Sequence, residues 1–362
     1  MSAVPSFQLS HAISIAFFTA LNSCIRLDSL CHPIAPRNVD LVAVWQKWKQ
    51  HLQRQCGTNV PATEFQNLAP SLMEQETLLW QNMRADRLWQ SGQVDLGVGV
   101  NNLWEISAPL MFWTHPNAVI EPTDALDQLL LHSDIGQELP VGFLKAPQNA
   151  TYICLGPQTR QALDAKLPKH NATQPLSHQG VYVFDTLKDN HRVITLVPMY
   201  EVAANKVYGS AMLELHVQRP EEALNDLIQR VCQETGQGDY MVALAQAVAK
   251  LFLYMALPQA VCNEIKPYSQ AKDQLNRSGP KKAAKFQRQL ARLYDRVVVG
   301  PTEVGIGHGA GGNNNSMGGG GDELSPHLRR GHFRMQPHGP NGSKRRLMFI
   351  APTWVRADKL AA

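Results

Sequence analysis

Residues 180–202 read GVYVFDTLKDNHRVITLVPMYEV. Two runs rich in β-branched and aromatic residues, GVYVFDT (180–186) and HRVITLVPMYEV (191–202), flank a short polar segment. That pattern reads as strand, turn, strand. Working outward, ATYICLG (150–156) and YGSAMLELHV (208–217) have the same character, so a central antiparallel sheet or meander is expected. GPQTRQALDAKL (156–167) interrupts the strands as a helix. After them, Pro220 and EEALNDLIQRVCQE open a second helix, with proline and acids in its first turn. YMVALAQAVAKLFLYMAL (240–257) carries Gln246 and Lys250 and stops at Pro258, which marks a buried core helix rather than a membrane span.

The 362 residues are 44% hydrophobic and 18% charged, a composition that folds without metal or disulfide staples. The fold class expected is α+β, in four parts. Residues 1–140 form a mainly helical region, with Trp45 and Trp48 at core-facing helical spacing. Residues 141–300 form the α+β core. Residues 301–323 form a flexible linker, because 305–321 holds nine glycines and three consecutive asparagines. Residues 324–362 form a basic hairpin tail. The run AISIAFFTALNSC (12–24) has no preceding Lys or Arg and no small-x-small cleavage site, so it reads as an amphipathic first helix.

Charge is distributed unevenly. From Arg277 onward there are fifteen Lys and Arg against five Asp and Glu, a balance of +10, while residues 1–276 carry −6. A polyanionic partner is therefore expected for the last quarter. In KKAAKFQRQLARLYDR (281–296), Lys281, Lys285, Arg288 and Arg292 fall on one helical face, and Ala283, Phe286, Leu290 and Leu293 on another. In the tail, HLRRGHFR and RRLMFI flank GPNGS, where Asn341-Gly342 tolerates positive φ, so a hairpin is predicted at 327–335 and 344–351. Alternation then puts His327, Arg329, Gly331 and Phe333 on one face and Leu328, Arg330, His332 and Arg334 on the other. Arg330, His332 and Arg334 form a row suited to phosphate or carboxylate oxygens, and Lys344, Arg345 and Arg346 extend the field. Gly331 permits close approach of a ligand or another backbone. Phe349 and Trp354 are candidates for packing on the body or for stacking with a base.

Other chemistry finds little support. The six cysteines form no CxxC, Cys31-His32 lacks a second ligand pair, and His308, His327, His332 and His338 lack metal-ligand spacing, so no metal is expected. The scattered cysteines fit a reducing cytoplasm. There is no GxGxxG, P-loop lysine or HExxH, and no cofactor is expected. Four roles are compatible with the tail: RNA or ribosome contact, DNA binding by a plasmid or phage accessory protein, a nuclease using His332 beside Asp322 or Glu323, and docking on the acidic body to complete the fold.

PHLRRGHFR, a short turn and KRRLMFIAPTWV resemble the C-terminus of the type V-A anti-CRISPR proteins that act on biogenesis of the effector nuclease. The motif match covers Pro326–Val355, and a looser similarity of layout includes LFLYMALPQ (251–259) and VYVFD (181–185). Phe333 stands where the family has tryptophan, and the glycine/asparagine segment is expanded. The resemblance implies a mobile-element-encoded, non-enzymatic inhibitor that recognises the emerging N-terminus of the CRISPR nuclease during translation and leads to loss of its message. Its partners would be RNA, ribosome or nascent polypeptide, with no membrane, and a groove beside the sheet and the 240–257 helix would select the target.

Overall fold

The computed structural model describes residues 117–167, 176–188, 191–202, 207–210, 212–279, 292–303 and 327–355, together with Ala108, Phe112, Lys285, Phe286, Gln289 and Leu290. Residues 304–323 of the expected linker and most of the expected N-terminal helical region lie outside the described residues.

The opening stretch forms β4 (Leu176–Lys188) and β5 (His191–Val202), paired antiparallel from Lys188↔His191 to Leu176↔Val202. Both faces of this hairpin are buried. Val181, Val183, Ile194 and Leu196 join the main core, while Tyr182, Phe184, Val197 and Met199 join a second cluster with Tyr152 and Phe112. Two buried faces explain why the sequence is apolar almost without interruption. β3 (Ala150–Cys154) pairs antiparallel with β4, and both β6 (Val207–Ser210) and β7 (Leu213–Val217) pair antiparallel with β5, as the meander predicts.

The α+β class holds, and the sheet is mixed. β1 (Asn117–Pro122) runs parallel to β3 on one side and to β9 (Arg296–Val299) on the other, and β8 (Cys262–Ile265) closes the far edge. The order is β6-β5-β4-β3-β1-β9-β8, with β7 also on β5. Residues 117–135 fall within the region expected to be helical, yet they form β1, α1 (Asp124–Leu131) and β2 (Ser133–Ile135). Proline flanks β1 at Pro116 and ends it at Pro122, so the segment is too short to show a period of its own. Its identity comes from its neighbours β3 and β9. Thr123 ends the strand and caps α1: its hydroxyl accepts from Leu126 N at 3.1 Å and donates to Pro301 O at 2.7 Å.

The helices pack on the main-core face. α2 (Pro157–Asp164) lies within the expected 156–167, and α4 (Gly238–Met255) matches the expected core helix within two residues at each end. α3 (Leu224–Glu234) begins four residues later than expected, because 220–222 form a turn in which Pro220 O and Glu222 O accept from Gly142 N and Val141 N. A further helix, α5 (Pro267–Asn276), follows β8. α4 touches α1, α2, α3 and β2, which is why it is apolar around most of its circumference. Among the described residues no helix is long and apolar enough to cross a membrane.

The C-terminal segment forms β10 (His327–Arg329), β11 (Gly331–His338), β12 (Lys344–Ile350) and β13 (Thr353–Val355). β10 pairs with β13 and β11 with β12, and both ladders share one register: His327↔Val355 continues as His332↔Ile350 and ends at His338↔Lys344. They are one long hairpin, interrupted where Pro352, which has no N–H, comes opposite Arg330. The connection uses positive φ at Gly339, Asn341 and Gly342, including the pair expected to allow it.

This hairpin is built into the body. β11 runs parallel to β2, from Gly331↔Ser133 to Phe333↔Ile135, making a three-stranded sheet β12-β11-β2 separate from the central one. Gly331 N donates to His132 O at 3.0 Å, and Gly136 N donates to Phe333 O at 2.9 Å. The backbone that approaches Gly331 is the protein's own. A Cβ there would lie 2.6 Å from Ile350 O, 2.6 Å from Ser133 Oγ and 2.7 Å from Pro352 Cδ. Gly331→Ala is therefore expected to cost about 1–3 kcal/mol of stability, read as a lower denaturant midpoint.

Candidate nucleic-acid interface

The single register sorts the hairpin side chains. Facing the core are Gly331 and Phe333 on β11 and Leu347 and Phe349 on β12. Phe333 is fully buried, its ring stacked on Phe349 at 4.6 Å, and Phe349 meets Tyr254 of α4 edge-on at 6.1 Å. Phe333 and Phe349 thus take the packing role. Facing outward are His332↔Ile350, Arg334↔Met348, Gln336↔Arg346 and His338↔Lys344. Arg334, His338, Lys344 and Arg346 are exposed and His332 is half-buried. Among the described residues no ion pair holds Arg334, Lys344 or Arg346.

The expected row is divided by a partner that local sequence does not reveal. Asp134 of β2 is in register with His332, and Arg330 grips it with two bonds, Nε to Oδ2 at 2.7 Å and Nη2 to Oδ1 at 2.8 Å. These bonds hold the Asp134 carboxyl below the usual carboxylate range against the opposing effect of partial burial. Arg330 therefore neutralises the acid of this face. His327, Arg329 and Arg345 are exposed, but alternation sets them on the opposite side of the ladder. Trp354, opposite Leu328, returns to the outward side and is 45% exposed. Of the helical stripe, Lys285 and Arg292 are exposed, whereas Lys281 and Arg288 lie outside the described residues. Asp322 and Glu323, considered as partners of His332, also lie outside them.

His338 and Gln336 were not among the expected site residues, because Pro337 argues against extending the strand. Here Pro337 lies beyond the end of β2. On that side no neighbouring strand requires its N–H, so the ladder with β12 continues to His338.

A second feature lies among the helices. α1, α2 and α4 line a partly open, mainly apolar pocket of about 140 Å³, walled by Leu130, Ile153, Leu155, Leu163, Ala243 and Leu251 together with the polar Asp127, Thr159, Gln246 and Lys250. It lies against the helix where a target-selecting groove was expected. A volume of about 150 Å³ holds a benzene-sized group, so this pocket has room for a single medium side chain. Asp127 is 2% exposed and accepts from Gln158 N at 2.8 Å, Thr159 N at 3.2 Å and Thr159 Oγ1 at 2.5 Å, capping α2 with a negative charge. Lys250 donates to Leu130 O at 2.6 Å and Ser133 O at 3.1 Å, so it caps the end of α1 beside the hairpin.

Burial pushes the Lys250 ammonium down to about 8, with Asp134 opposing and Arg330 assisting. Below that pH both native and unfolded chains hold the proton. Between about 8 and the ordinary lysine value near 10.5, only the unfolded chain holds it, so this group makes stability rise with pH. Tyr294 and Cys154, both pushed up by burial, act in the opposite direction in alkali. Comparing the wild type with Lys250→Met cancels those contributions. The wild-type stability minus that of the variant is expected to rise from pH 8 to pH 10, as measured by urea unfolding.

A buried chain of polar groups joins three elements. His178 Nδ1 is 2.5 Å from Asp164 Oδ1 and its Nε2 is 2.6 Å from the Tyr240 hydroxyl, while its ring is fully enclosed. Burial lowers the imidazole pKa, and Asp164 resists. With His178 at 0% and Tyr240 at 8% exposure, this arrangement clamps β4, α2 and α4 together.

The fold and its exposed face define a class: an α+β protein that presents a basic hairpin from its own core. A sequence profile of the anti-CRISPR type V subtype A2 family (AcrVA2-like) matches residues 120–357, from within β1 to beyond β13. The chain belongs to this family. The similarity first visible at Pro326–Val355 therefore spans the described fold. No curated protein and no solved structure matches the chain.

Proposed function

We propose that this anti-CRISPR protein suppresses production of a type V-A CRISPR nuclease without chemistry of its own, by binding the machinery that is translating it. The observation that carries this reading is the outward hairpin face, where Arg334, Lys344 and Arg346 stand exposed and the neighbouring acid, Asp134, is already bound by Arg330. Such a face attracts RNA phosphates through counterion release, which gives affinity without sequence selection. Selection then falls to the body. The cavity between α1, α2 and α4 suits an apolar side chain of the emerging nuclease polypeptide, with Asp127 and Lys250 at its wall.

The test separates production from activity. Co-expression with a type V-A nuclease should lower the newly made nuclease and its message, while purified, preassembled nuclease mixed with this protein should cut at its normal rate. Stoichiometric inhibition of preassembled nuclease, with unchanged message, would contradict the proposal.

A further inference from the structure

We infer that the outward hairpin face is a track for single-stranded RNA, with Trp354 as the platform on which one base stacks. The inference rests on the RNA contact proposed above and specifies its chemistry. Because β10–β13 and β11–β12 share one register, Trp354 lies on the same side of the ladder as Arg334, Arg346 and Lys344. The eleven residues from Leu328 to His338 span roughly 34 Å at strand rise, and successive outward side chains stand about 6.8 Å apart.

An exposed aromatic in line with a row of cations is the combination that sheet surfaces use to bind unpaired bases, the cations following the phosphates and the ring stacking on a base. Most other apolar side chains of the hairpin turn inward or are only partly exposed, whereas Trp354 is 45% exposed. Arg330 lies on the Trp354 side of the ladder, and by holding Asp134 it removes the charge that would repel a phosphate between the tryptophan and Arg334.

The same geometry disfavours a duplex. A β-ribbon enters the DNA major groove as two strands in a gap of about 12 Å. Here β2 flanks β11 at Gly331–Phe333, in the middle of the track, so that stretch is three strands wide and the full row from Trp354 to Lys344 cannot lie in a groove that admits two. The major groove of duplex RNA is narrower still, and paired bases offer no free face to Trp354.

The full-length protein would be titrated against a fluorescent ten-nucleotide single-stranded RNA and a ten-base-pair RNA duplex at one salt concentration, read by anisotropy. The single strand should bind at least tenfold tighter. Trp354→Ala should weaken it about five- to hundredfold, and Trp354→Phe should retain most of the binding. Arg334→Ala with Arg346→Ala should weaken binding and flatten the salt dependence by roughly 0.7 per lost phosphate contact. Equal affinity for the duplex, or unchanged affinity of a folded Trp354→Ala protein, would overturn the inference. If single-strand binding fails while nuclease production is still suppressed, the inference falls and the proposed function stands. If binding holds and production is unaffected, the function falls and the track stands.

Discussion

Phe333→Ala should destabilise the whole protein by about 3–5 kcal/mol, the cost of emptying a closed aromatic site. Its ring is 0% exposed, lies 4.6 Å from Phe349, and belongs to the cluster that includes Leu126, Leu130, Leu244 and Phe252 from the body. Domains are typically stable by 5–15 kcal/mol, so this loss removes a large share of the total. Arg334, two residues later and exposed, should cost under about 0.5 kcal/mol when truncated. Urea unfolding followed by circular dichroism distinguishes two architectures. In an integrated hairpin, Phe333→Ala lowers the midpoint of the single main transition. In a separate arm, that transition would stay where it is.

The second large effect belongs to Asp127. Its carboxylate is 2% exposed and accepts three hydrogen bonds from the first turn of α2, so Asp127→Ala leaves two backbone N–H groups and the Thr159 hydroxyl without their acceptor. Each buried unsatisfied group costs about 1–3 kcal/mol, and the helix also loses a favourable charge at its start. The expected loss is about 3–5 kcal/mol, reduced because the neighbouring cavity admits some water. Asp127→Asn keeps one acceptor oxygen and should cost roughly half as much. Gly156 beside it is equally constrained, because an added Cβ would come within 2.6 Å of all three carboxylate atoms. Thermal unfolding of the two Asp127 variants gives the ratio.

The sequence was most legible where local pattern and burial agree. The β4–β5 hairpin, α4 and the Asn341-Gly342 connection each carry their signal within a few residues, and each is present. Alternation also separated Gly331 and Phe333 from His332 and Arg334 correctly. What escaped was long-range. β1 is a strand because β3 and β9 flank it, and the hairpin is fixed because β2, some 200 residues earlier, supplies its neighbour. Asp134 and Arg330 are 196 residues apart, and no spacing rule links them. β8 and α5 are short and polar, and their sequences lack a strong period. The acidic body and basic C-terminal quarter hinted at docking, and among the described residues two ion pairs join them: Arg330 with Asp134 at the junction with β2, and Arg296 with Glu121 between β9 and β1.

The central claim is that a rigid, core-anchored hairpin uses its outward charges to suppress nuclease production. The most direct test replaces Arg334, Lys344 and Arg346 together with alanine and measures the level of co-expressed type V-A nuclease beside the thermal transition of the purified variant. The account predicts a protein that melts within about 2 °C of wild type, because all three side chains are exposed, and that no longer lowers nuclease production. A folded triple variant that suppresses production as fully as wild type would contradict it.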